Sequence, residues 1–143
     1  MCEEVVERGS GKSSINMVKN YWELDVYKHA KEGRQRVFEL SRGFPKEEMY
    51  SLTDQIRRAS RSVCAHTAEA WGRRLYRADF INRLNQAESE ARETQCWLET
   101  AVECEYITKE MGQELFQLYN NIIGKLVTME NNPDGWLLSP NRS

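Results

Sequence analysis

The sequence predicts an all-α protein: four helices with short connections, an up-down-up-down four-helix bundle. Three observations carry that expectation. Apolar residues recur at steps of three and four in four successive stretches. The only prolines are Pro45, Pro133 and Pro140, so 46–132 lacks the residue that most disrupts helices and is rich in Glu, Arg, Leu and Ala. The connections between the stretches are brief and marked by glycine or polar residues. At 143 residues the chain has one domain's length, enough to bury a core unaided.

Each element has its own signal. Residues 1–20, with Gly9, Gly11 and the pair Ser13-Ser14, read as a flexible leader, 21–130 as the bundle and 131–143 as a C-terminal tail. A first helix is expected from about Tyr21 to Ser41, with Trp22, Val26, Ala30, Gly33, Val37 and Leu40 along one face. Gly33 in a helix interior costs about 1 kcal/mol against Ala, and close approach by another helix is the simplest reason for it. Gly43-Phe44-Pro45 ends that helix. The second begins at Pro45 or, after a turn, near Ser51, buries Met49, Leu52, Ile56, Ala59, Val63 and Thr67, and stops at Gly72. The third runs through Phe80, Leu84, Ala87, Ala91, Thr94, Leu98, Ala101 and Glu105 in heptad register. The fourth spans about Lys109 to Met129, with Met111, Leu115, Leu118, Ile122 and Leu126 inward. The Trp136-Leu137-Leu138 cluster is read as a solvated tail, with docking into a groove as the alternative.

Composition excludes several classes. A net charge of -2 and a pI of about 5.8 count against a dedicated nucleic-acid binder, which is usually strongly basic. No run reaches the roughly eighteen apolar residues that span a bilayer, and no signal-peptide core opens the chain, so a cytoplasmic protein without a membrane partner is expected. Cys2, Cys64, Cys96 and Cys104 form no CxxC pair and read as reduced thiols.

Charge is nevertheless segregated. From Gln55 to Arg77 six arginines, Arg57, Arg58, Arg61, Arg73, Arg74 and Arg77, face the single acid Glu69. From Ala78 to Glu110 eight acids outnumber three bases. The arginines have three uses: pairing with third-helix glutamates within a subunit, meeting the acidic segment of the next subunit in a head-to-tail ring, or holding phosphates. The acidic pI places both pairing readings ahead of the phosphate one. Base stacking on Trp71 or Tyr76 beside the arginines is the aromatic counterpart of that last reading. Gln55, Glu69 and Glu93 are the polar residues expected to lie buried, with Glu69 a candidate partner for a buried tryptophan N–H. Trp22, Trp71 and Trp97 are read as mostly core.

No catalytic constellation emerges. Di-metal bundle sites need two Glu-x-x-His pairs, whereas His29 and His66 follow Val26 and Val63 at that spacing. Cys64 and His66 are i,i+2 and fall on different helix faces, and no Gly-x-Ser-x-Gly or glycine-rich phosphate loop is present. The expectation is a non-enzyme without metal or cofactor.

An ordered set of short matches adds to this reading. Trp22-Glu23-Leu24-Asp25-Val26-Tyr27, Phe44-Pro45-Lys46-Glu47-Glu48, Leu52-Thr53-x-Gln55-Ile56-Arg57-Arg58-Ala59 and Ala68-Glu69-x-x-Gly72-Arg73 are followed by Phe80-Ile81 and by Glu90-Ala91-Arg92-Glu93-Thr94-x-x-Trp97-Leu98. With these the chain resembles the bacterial four-helix-bundle family first noticed as open reading frames in intervening sequences of large-subunit ribosomal RNA genes. The resemblance implies a left-handed bundle that forms a ring, commonly a homopentamer. It also implies a relative, the accessory variability determinant of diversity-generating retroelements, which binds nucleic acid and a reverse transcriptase. The expected role is therefore a homo-oligomeric scaffold or adaptor with a protein partner, the alternative an RNA- or DNA-binding accessory protein acting through the arginines. Cys64, His66 and Ala70 depart from the family's usual proline, asparagine and glycine.

Overall fold

A computed structural model describes residues 17–139. Among them are four α-helices and no strand: α1 Asp25–Ser41, α2 Leu52–Gly72, α3 Arg77–Glu103 and α4 Lys109–Asn131. Short 3-10 turns occupy Tyr21–Glu23, Lys46–Glu48 and Pro133–Gly135. The helices pack around a square, α1 on α2, α2 on α3, α3 on α4 and α4 back on α1. Neighbours run antiparallel: Arg36 of α1 pairs with Glu114 at the start of α4, Glu69 late in α2 with Arg83 early in α3, and Gln95 of α3 bonds Asn120 of α4. This is the expected four-helix architecture. No helix among the described residues is long and apolar enough to cross a membrane.

The core follows the spacing rule. Val26, Ala30, Val37, Ile56, Val63, Phe80, Leu84, Leu98, Leu115, Ile122 and Leu126 are buried, and Ala87 and Ala91 let α3 lie close to its neighbours. Gly33 has the expected cause. A Cβ there would lie 2.6 Å from the Tyr119 hydroxyl oxygen, so the bare backbone of α1 admits the fully buried α4 ring.

Several expectations are corrected. The first helix begins at Asp25, because Leu24 adopts extended backbone (ψ 135) and turns inward to 3% exposure. Trp22, before that break, is 54% exposed and edge-stacked on Tyr21 rather than core. Met49 and Met111 lie beside connections, Met49 ahead of α2 and Met111 in the first turn of α4, and both are exposed. Glu105 leaves the heptad: α3 ends at Glu103, and Glu105 takes a left-handed conformation (φ 63) that turns the chain toward α4. Cys104 is correspondingly the residue after α3 and lies exposed as a free thiol. The tail is not solvated throughout. Pro133 is buried, Trp136 and Leu137 pack on the core, and the Leu138 N–H donates to the Arg74 carbonyl across the end of the bundle. The leader falls mostly on 1–16, outside the described residues; within 17–20, Val18 already packs on the core.

The helix N-termini are closed in different ways. Ser51 precedes α2, yet the capping acceptor is Glu48, whose Oε1 accepts from the Leu52 N–H (3.1 Å) and the Ser51 hydroxyl (2.7 Å). Its Oε2 accepts from the Tyr106 hydroxyl (2.8 Å), tying the α1–α2 connection to the α3–α4 turn. Tyr76 precedes α3 with no side-chain cap, and Thr108 caps α4 through the Met111 N–H.

Candidate interaction surface

The six arginines singled out from the sequence do not act together. Arg58 lies 4.0 Å from Asp54 on its own helix, Arg73 reaches Asp79 (3.6 Å) and Arg77 reaches Asp134 of the tail (2.6 Å). Arg74 donates to the Trp71 carbonyl and lies 3.5 Å above the Trp71 ring centroid, so that ring already carries a cation. Tyr76 stands 55% exposed. The expected pairing with α3 glutamates is corrected. Arg73 forms an ion pair with an α3 acid, and that acid is an aspartate, while Arg58 acts on Glu90 only through its field and the α3 arginines serve others: Arg83 meets Glu69 and Arg92 meets Glu88.

Arg57 and Arg61 are different. Arg57 donates from Nε to the Ser41 hydroxyl (2.7 Å), and its guanidinium lies 4.8 Å over the Phe38 ring. Arg42 sits on the same ring at 5.8 Å. Arg61, one turn beyond Arg57, shares its face of α2 with Cys64, which meets Arg34 and Lys31 of α1. The α1–α2 face thus gathers Lys31, Arg34, Arg42, Arg57 and Arg61. Among the described residues none of these five has a carboxylate partner. Around the α3–α4 turn, Glu99, Glu103, Glu105 and Glu110 are exposed and, among the described residues, likewise have no cationic partner. Sequence reasoning found half of the basic face and missed the α1 half, because Lys31, Arg34 and Arg42 are diluted by Glu32 and Glu39. The spacing of Lys31 and Arg34, with Phe38 between Arg34 and Arg42, was the available signal.

The polar residues expected to be buried divide. Gln55 is exposed at the outer edge of α2, and Glu69 is about half exposed. Glu69 accepts from Arg83 Nη1 (3.2 Å) and lies 2.8 Å from His66 Nδ1, so it takes no tryptophan N–H. That role falls to Glu93, half-buried, which accepts from Trp97 Nε1 at 3.0 Å. The buried polar residue that was overlooked is Gln95, whose Nε2 donates to the Phe116 carbonyl and to Asn120 Oδ1. Trp71 and Trp97 are half-buried, intermediate between core and surface.

Titration behaviour follows packing. Burial pushes the Cys64 thiol up, with Arg34 and Lys31 acting the other way. Burial and neighbouring Glu93 raise Glu90, while His66 and Arg58 oppose them. Glu90 and His66 border a shallow polar groove between α2 and α3, together with Asn82, Asn85, Gln86 and Ser89. Among the described residues no three of His, Cys, Asp and Glu converge as a metal site.

The fold and these residues define a small antiparallel four-helix-bundle protein with surface charge sorted by face. Over residues 22–128 the sequence matches the family model of the 23S rRNA-intervening sequence protein, and the chain belongs to that family. It is also similar to the crystal structure of a protein of unknown function from the S23 ribosomal protein family of Bacteroides thetaiotaomicron VPI-5482. The identity is 32%, the TM-score 0.67, and the match covers 73% of this chain and 97% of that one. Comparison with curated proteins finds no match.

Proposed function

We propose that the chain is a non-enzymatic cytoplasmic scaffold or adaptor that associates with copies of itself, a homopentameric ring being the assembly its family resemblance implies. One observation supports this above others. Among the described residues, cations without carboxylate partners collect on the α1–α2 face and carboxylates without cationic partners around the α3–α4 turn. Surfaces of opposite sign at different places on one subunit suit heterologous contacts, each copy offering its basic face to the acidic region of the next. Repetition then presents any further protein-binding patch several times over, and avidity follows from the copy number.

A second reading has a specific observation in its favour. Phe38 between Arg42 and Arg57 offers an aromatic ring flanked by two planar cations, an arrangement suited to the backbone and bases of a single-stranded RNA or DNA. An accessory protein of that kind, working beside a reverse transcriptase, is the alternative role.

The double reversal Arg57→Glu, Arg61→Glu separates the readings. Under the scaffold reading the variant, with unchanged helical circular dichroism, falls to monomer mass in light scattering. Its wild-type parent stays assembled and ignores a labelled structured RNA. If the variant keeps its mass and instead loses RNA binding that weakens steeply with salt, the nucleic-acid reading replaces the first.

A further inference from the structure

The end of α4 carries a polar group that the surface chemistry above leaves unused. Glu130 lies in the last turn of α4, and its Oε2 is buried with no hydrogen-bond donor to satisfy it. The group within its reach is another carboxyl, that of Glu88 on α3. Arg92 holds Glu88 through Nε (3.1 Å) and Nη2 (2.8 Å), both on the same Glu88 oxygen. One guanidinium therefore serves two carboxyls and binds only one of them. A carboxylate at Glu130 would meet burial, the charge of Glu88 and the negative end of the α4 dipole together. A protonated Glu130 instead has a hydroxyl to donate to Glu88, which satisfies the orphaned oxygen and fixes α4 to α3. Among the described residues, Glu88 and Arg92 of α3 are the charged groups acting on it, with none from α1 or α2.

Just beyond Glu130 the chain leaves the helix for the docked tail. That tail is held by the exposed Arg77–Asp134 pair, by the Leu138 N–H to the Arg74 carbonyl, and by packing of Pro133, Trp136 and Leu137. Its footing is the α4 terminus. We propose that Glu88 and Glu130 form a proton-shared carboxyl pair that clamps the end of α4 to α3, so that loss of the proton releases the segment 133–138 from the end of the bundle. Release frees the Arg74 carbonyl and lifts Trp136 and Leu137 from the core beside the already exposed Leu75 and Tyr76, enlarging an apolar patch at that end. The clamp is a property of one subunit and does not depend on assembly or on nucleic acid.

Burial and Glu88 push Glu130 up to about 7, so the transition belongs near neutral pH. The test is amide hydrogen exchange at Leu138 in the full chain from about pH 5.5 to about pH 8.5, corrected for the intrinsic pH dependence of exchange. The expected result is a loss of protection of about tenfold or more across the transition. Glu130→Gln, which can donate without titrating, should hold Leu138 protected over the whole range, and Glu88→Gln should move the transition to lower pH. Corrected protection that does not change with pH overturns the proposal. So does a transition that survives in Glu130→Gln.

Discussion

Two helical glycines allow one substitution to be tested with opposite expected signs. Gly33 and Gly124 both lie inside α-helices, and replacing either with alanine gains about 1 kcal/mol of helix propensity. At Gly124 the new methyl meets nothing within 4 Å, so that gain should appear in full. At Gly33 it would lie 2.6, 2.8 and 2.9 Å from Oη, Cζ and Cε2 of Tyr119. Those atoms belong to a ring at 0% exposure, which cannot swing aside as a surface side chain would. Overpacking of this kind costs about 1–3 kcal/mol. With three atoms involved the upper half applies, and the net effect is a loss of about 1–2 kcal/mol. For a domain of this size the urea m-value is about 2 kcal/mol/M, so the midpoint should fall by about 0.5–1 M for Gly33→Ala and rise by about 0.5 M for Gly124→Ala. Removing the nearest atom with Tyr119→Phe should reduce the Gly33→Ala cost, giving a favourable coupling of about 0.5–1 kcal/mol in a double-mutant cycle. Stabilisation by Gly33→Ala, or additivity with Tyr119→Phe, would refute the close-approach argument.

Trp97→Ala should destabilise by about 3 kcal/mol and Glu93→Ala by about 1 kcal/mol, both read by urea denaturation, since the first empties a half-buried site and the second leaves an indole N–H unpaired. Equal and negligible losses would place Trp97 outside the packed structure. The Tyr106 phenol, donating to the Glu48 carboxylate, is pushed up to about 12. Its neutral form is favoured in the fold, so this contribution is complete below about pH 10 and is lost as pH rises through about 12. In ultraviolet absorbance of ionised tyrosine, Tyr106→Phe should remove one late-ionising group, while the buried Tyr119, pushed up by desolvation, remains as another.

The fold was legible because apolar spacing and missing prolines reflect what a helix must bury, and Val26, Ile56, Leu84 and Ile122 lie where that rule puts them. Errors gathered where a local event interrupts the period. Leu24 breaks the first helix and sends Trp22 outward; Glu105 takes a left-handed turn that no glycine announces. The surface was legible only in part. Periodicity assigns Arg57 and Arg61 to one face of α2, but which helix lies alongside is a tertiary fact, and it decided that α1 rather than α3 supplies their neighbours. The exchange of roles between Glu69 and Glu93 has a local origin: Glu93 stands four residues before Trp97 on one helix face, whereas Glu69 stands two before Trp71, a spacing that turns the side chains apart.

The arrangement around Phe38 makes the basic face selective about the kind of cation it uses. Arg57 needs an Nε–H for Ser41 and a flat group for the ring, and Arg42 approaches the same ring. A lysine supplies the charge but neither the Nε donor nor the plane. Held in this way, the guanidinium has lost much of its rotamer freedom before any ligand arrives, and a partner meets a charge already fixed in direction. Shape, and not electrostatic strength alone, is then what this surface can recognise.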